Sequence, residues 1–234
     1  MRYISLREVR KRVDNLDEET KVKYVQTIAV GLTVRYGIYG RYAEEILGMK
    51  LEHINKEKKT IDLYDSQDNY IRTMQVDDYL INWLELASNT QMHNNMKLKS
   101  TDYIFKSSTR RTKIDITEKA LVGTINGRVI KFLKLIDFKY TRILDWFMLR
   151  EIDYAENFRK KNGICTSLDY IKIVYTLRGK INKEESLDLK TAHLNLMNGK
   201  EFFYNIKGAR KPIKITNTYI NEIISALDSL YITG

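Results

Sequence analysis

The chain has 234 residues, 43% of them hydrophobic, which is enough to bury a core as one large domain or two small ones. Cys165 is the only cysteine, so an intramolecular disulfide is excluded; no Cys/His cluster suggests a metal site, no cofactor is expected, and no run resembles a signal h-region or a membrane span. A net charge of +10 and a pI near 9.4 favour a polyanion through counterion release, which makes nucleic acid the expected partner, and the single cysteine suits a reducing cytoplasm.

Ser5-Leu6-Arg7-Glu8 opens the chain like a capping box, and Leu6, Val9 and Val13 supply the apolar stripe of a first helix that stops at Asp14-Asn15. A second helix is predicted through Val22, Val25, Ile28, Ala29 and Leu32, followed by a glycine-loosened stretch and a short helix over Tyr42 to Met49. The period then changes to two. Thr60 to Tyr64 and Tyr70 to Val76 read as a hairpin around a turn at Asp65 to Asn69. Asp77 and Asp78 cap a helix running to Ala87, and Ser88 to Ser100 reads as a polar surface connection. Tyr103 to Phe105 is extended, and a basic loop carries Arg110, Arg111 and Lys113. Helical spacing returns over Thr117 to Leu135, Thr141 to Asn157 and Ser167 to Leu177. Beyond a boundary placed near Gly179 come a helix from Lys183, a ribbon over Glu201 to Ile206 and Pro212 to Ile215, and a helix from Asn217 to Leu230. The single proline agrees with a mostly helical chain.

Glu44 to Asn55 lies without a gap over Glu184 to Asn195, sharing both glutamates, a Leu, a Lys, a His and the Asn, and Tyr64 and Tyr79 then fall on Tyr204 and Tyr219. One unit of helix, ribbon and helix is therefore read twice, as residues 1–178 and a partial C-terminal copy at 179–234. His53 and His193 occupy equivalent places, which points to packing rather than catalysis.

The run from Glu45 to Ile54, followed by a hairpin and a helix, resembles the first conserved box of the tyrosine recombinase (phage integrase) family, an "Arg-x-x-Glu-Leu-x-x-Leu-x-x-x-Asp-Ile" helix ahead of a β-ribbon. The resemblance implies a mostly α catalytic-domain fold with small β-ribbons, and a phosphate-binding arginine three residues before Glu45. Tyr42 stands there, with Arg41 one place off. Lys139-Tyr140-Thr141-Arg142 is similar to the family's His-x-x-Arg box, with lysine in place of histidine and Arg142 as the second phosphate ligand. The ribbon lysine of the family falls on Gln67 in the first copy, whereas the second copy offers Lys207, Arg210, Lys211 and Lys214. The nucleophilic tyrosine is implied near Tyr170 or Tyr175, and neither follows a Gly-His pair. An N-terminal core-binding domain of the family kind would precede the first box.

Strand cleavage by a tyrosine hydroxyl needs cations on the non-bridging oxygens, a proton donor for the leaving oxygen and an oriented nucleophile, whereas binding needs only the cations. The expectation is a double-stranded DNA-binding regulator or repressor of phage or mobile-element origin that keeps the integrase scaffold, with homo-oligomerisation an open option. It would grip phosphate through Arg41, Lys139 and Arg142 and through the basic turns at Arg110, Arg111, Lys113, Lys207, Arg210, Lys211 and Lys214. An active recombinase using Tyr175 or Tyr170 is the alternative. A third reading is a helical interaction protein whose lysines reflect an AT-rich genome.

Overall fold

In the computed structural model the Ser5 hydroxyl accepts the Glu8 N–H at 3.2 Å, and α1 (Leu6–Asp14) runs from that cap with Val9 and Val13 buried. The structure describes residues 4–65, 67–108, 120–139 and 143–164, the positions Asp169 and Ile173, and the strands at 202–204 and 213–215. The chain divides into two compact units, 3–147 and 148–234; the boundary expected at Gly179 lies outside the described residues.

The helix predicted through Val22 and Leu32 is in fact two, α2 (Glu18–Lys23) and α3 (Val25–Arg35), with the chain turning at Tyr24. Asp17 caps α2 by accepting Thr20 N–H at 2.7 Å, and a Lys21–Glu18 pair closes its outer face, so this short helix stands on local bonds. Val22 is left 69% exposed instead of facing the core.

Helix α3 is buried on all sides from Gln26 to Arg35, which makes it the central rod of the first unit. Helices α5 (Asp78–Asn89) and α6 (Val122–Leu135) pack along it. The close approach of α6 requires Gly31, because a Cβ at that position would lie 2.1 Å from Cγ of Phe132. Trp146, near the start of α7 (Ile143–Asn162), donates Nε1–H to the Gly31 carbonyl at 2.9 Å and meets the Phe132 ring edge-on at 5.9 Å. Burial of Ile28, Leu32 and Phe132 contributes about 1.5–3 kcal/mol each.

Polar side chains on this rod are satisfied inside it. Gln26 donates to the carbonyls of Ala87 (2.7 Å) and Ile104 (2.8 Å), while its own oxygen accepts from Arg128 Nη1 (2.8 Å) and Lys106 N (3.0 Å). One glutamine thus ties α3, α5, α6 and the extended 104–106 segment together, and the low dielectric strengthens each bond.

The predicted hairpin forms from β2 (Thr60–Tyr64) and β3 (Tyr70–Gln75), antiparallel from Thr60↔Gln75 to Leu63↔Arg72 with an irregularity at Leu63/Tyr64. A strand that periodicity did not predict, β1 (Ile54–Asn55), adds to its edge. The helix expected over Tyr42 to Met49 shrinks to α4 (Glu44–Leu47), because Tyr42 and Ala43 adopt left-handed backbone. The stretch from Ser88 to Ser100, expected as a plain connection, holds a two-stranded hairpin, β4 (Met92–His93) and β5 (Met96–Lys97). Asn94 and Asn95, both at positive φ, supply its two-residue turn. In the second unit β6 (Phe202–Tyr204) and β7 (Ile213–Ile215) pair antiparallel, 140 residues after positions 62–64 and 73–75 of the first ribbon. The architecture is mostly α with small antiparallel ribbons, as expected. Among the described residues no helix is long and apolar enough to cross a membrane.

Candidate functional site

The first-box turn is built around one buried ion pair. Glu45 on α4 and Arg72 on β3 are 4% and 8% exposed, and Arg72 donates Nε–H and Nη2–H to the two carboxylate oxygens at 2.8 and 2.9 Å. The guanidinium also donates to the Gly37 carbonyl at 2.8 Å, and Glu45 accepts the Tyr39 N–H at 2.9 Å. The pair therefore anchors the loop entering the turn to the ribbon beneath it. A bidentate geometry with its remaining bonds satisfied is what a buried pair needs to offset its desolvation.

Above this anchor the backbone is strained. Gly40 (φ 66°) occupies a conformation that a side chain would resist, since a Cβ there would lie 2.6 Å from Cγ of Glu45. Tyr42 (φ 48°) and Ala43 (φ 61°) hold left-handed conformations without being glycine, at a cost on the order of 1–2 kcal/mol each. Tyr42 is nevertheless 47% exposed. The turn is braced from the far side by Tyr39, whose hydroxyl donates to Asn126 Oδ1 on α6 at 2.7 Å.

The ribbon beside the turn carries little free positive charge. Asp65 at its tip accepts the N–H groups of Gln67 (2.8 Å) and Asn69 (3.0 Å), so its carboxylate is used in shaping the turn. Lys56 and Lys59, between β1 and β2, pair with Glu85 and Asp78. His53 accepts the Lys50 N–H on Nδ1 at 3.3 Å, lies against Tyr64 at 4.5 Å, and has its pKa lowered chiefly by burial. Its bonds are those of a packing residue.

Of the sequence-predicted site residues, Lys139 alone has its side chain among those described. Arg41 has its backbone in the strained turn and Lys139 is exposed just beyond α6. Lys214 lies on β7 opposite Phe203. The side chains of Arg41 and Lys214, and the whole of Arg110, Arg111, Lys113, Arg142, Tyr170, Tyr175, Lys207, Arg210 and Lys211, lie outside the described residues.

Arg72 was not singled out by sequence, although a signal existed. It shares the inward parity of β3 with Met74, and an arginine on a buried strand face demands an acid. That acid is the glutamate of the first box.

A family model described as the MrpR C-terminal catalytic domain matches residues 3–205. The chain belongs to this family. Its fold is of the tyrosine recombinase catalytic type, so the family that the first box resembled is confirmed at the level of fold. Among solved structures, the crystal structure of XerA recombinase is similar at 14% identity and a TM-score of 0.45, over 82% of this chain and 65% of that one. This chain thus spans less than two thirds of that protein's length. Comparison with curated proteins finds no match.

Proposed function

We propose that this MrpR-type domain binds duplex DNA sequence-specifically as a transcriptional regulator of phage or mobile-element origin, and that it does not cleave strands. The observation that carries this reading is the first-box turn. Its anchor, Glu45 with Arg72, is complete, whereas the place three residues before Glu45 is held by Tyr42. The anchor of the turn is kept, while the sequence position of the family's activating arginine carries tyrosine and the nearest arginine, Arg41, is one residue off. Loss of a transition-state cation removes orders of magnitude from strand cleavage but costs binding one contact among several. The net charge of +10 supports a DNA partner in the same way.

The test is binding to a pool of DNA fragments from the encoding element, titrated with salt, beside a denaturing gel that reports covalent adducts. Selective, salt-sensitive binding with no adduct is expected. An adduct abolished by Tyr175→Phe or Tyr170→Phe would replace this reading with an active recombinase.

A further inference from the structure

Most cations placed in the first unit are spoken for. Arg10 pairs with Asp77, Lys21 with Glu18, Lys50 with Glu52, Lys56 with Glu85 and Lys59 with Asp78. One corner differs. Arg12 on α1 donates Nη1–H to the Ile136 and Asp137 carbonyls at 3.0 Å each, while its Nε–H is held by Glu8 at 3.1 Å. A guanidinium thereby caps the C-terminal carbonyls of α6 and fixes α1 beside them, where the helix dipole favours positive charge. Arg7 and Lys11 lie one turn apart on the solvent crest of α1, adjoining the Glu8–Arg12 row. Lys134 in the last turn of α6 and Lys139 just beyond it are exposed as well. None of these four forms an ion pair among the described residues; the acids that lie among them are Asp137 and Glu8, the latter paired with Arg12.

The geometry points to this α1–α6 corner as a second clamp on duplex DNA, in which Arg7, Lys11, Lys134 and Lys139 hold backbone phosphates next to the first-box turn. The inference rests on the DNA-binding reading and extends it to a surface of which the family resemblance supplies only Lys139. Helix α6 links the two places: Asn126 touches the turn through Tyr39, and the corner begins ten residues later at Ile136, about 15 Å along the axis. Duplex DNA presents one negative charge per about 1.7 Å of axis, so one duplex offers several phosphates across that span. The occupant is a polyanion of regular charge rather than an acidic peptide, because the cations come in two pairs on separate helices.

The experiment compares the full chain with two double variants, Arg7→Gln with Lys11→Gln and Lys134→Gln with Lys139→Gln, and with a control, Lys58→Gln, on the exposed β1–β2 turn. Affinity for a random-sequence duplex is measured across salt concentrations, and thermal unfolding confirms that each variant folds. Each double variant should lose about tenfold or more in low-salt affinity, and its log–log salt slope should fall by about two, with the control unchanged. Variants that keep the wild-type affinity and slope overturn the clamp while leaving DNA binding in place. Affinity lost with an unchanged slope also overturns it, because phosphate contacts must carry counterions. A wild-type chain that binds no DNA at any salt overturns both readings together.

Discussion

Arg72 on β3 donates to both oxygens of Glu45 on α4, and through the Gly37 carbonyl and the Tyr39 N–H the pair reaches the loop that leads into the first-box turn. Neither charge has water to fall back on. Glu45→Gln or Arg72→Met alone should therefore destabilise the chain by about 3–5 kcal/mol, because each strands an unpaired buried charge or donor. The double variant Glu45→Gln with Arg72→Met should be less destabilised than the sum of the two. Denaturant midpoints of the four proteins in that cycle measure the coupling, and additive losses would contradict a mutually dependent pair.

Tyr42 holds a left-handed backbone while its ring is half exposed. Tyr42→Gly should stabilise the chain by about 0.5–1 kcal/mol, since relief of strain outweighs the added freedom of the unfolded state. It should also weaken DNA binding if the turn is shaped for contact. Thermal unfolding and DNA affinity measured on the same sample separate the two effects. Lower stability in the variant would show that the ring's own contacts matter more than the strain.

Gly31 sits under the Phe132 ring, so Gly31→Ala overpacks the α3–α6 contact and should cost about 1–3 kcal/mol or more. Phe132→Leu alone leaves a smaller defect. Combining the two should recover part of the loss, and a double variant no more stable than Gly31→Ala would place the damage elsewhere than in the ring contact.

His93 on β4 lies 3.3 Å from the Thr27 hydroxyl on α3, with the Tyr24 ring edge-on at 6.0 Å. Burial, and after it the positive charge of Arg128, pushes its pKa down to about 4. The folded value lies below the unfolded one of about 6.5, so the unfolded chain takes up the proton first. Stability is then fully present above pH 6.5 and is lost as the pH falls from there to about 4, by at most roughly 3 kcal/mol. His93→Gln should flatten the stability profile in that window. Parallel profiles for the two proteins, from urea unfolding at stepped pH, would remove His93 from the account.

Much of the local structure was legible in the chain. The Ser5 cap, the β2–β3 hairpin, the Asp77 cap and the α5 and α6 periods each depend on residues within a few positions of one another. The misreadings share one cause. Period alone joined α2 to α3 and extended α4 back to Tyr42, whereas Tyr24, Tyr42 and Ala43 take backbone conformations that no spacing rule forecasts. The β4–β5 hairpin was passed over because its strands are two residues each, although the Asn94-Asn95 turn was visible.

By itself, then, the sequence determined a basic, mostly helical chain carrying the first box and ribbon of the recombinase type, since those depend on composition and near-neighbour spacing. Which acceptor each buried or capping cation meets was set by the packing of the helices. Arg72 finds Glu45 across 27 positions, Arg128 finds Gln26 across 102, and Arg12 caps α6 across 124. A buried or capping cation takes whatever acceptor the packed core brings within about 3 Å, and that choice belongs to the three-dimensional arrangement of helices rather than to any local pattern.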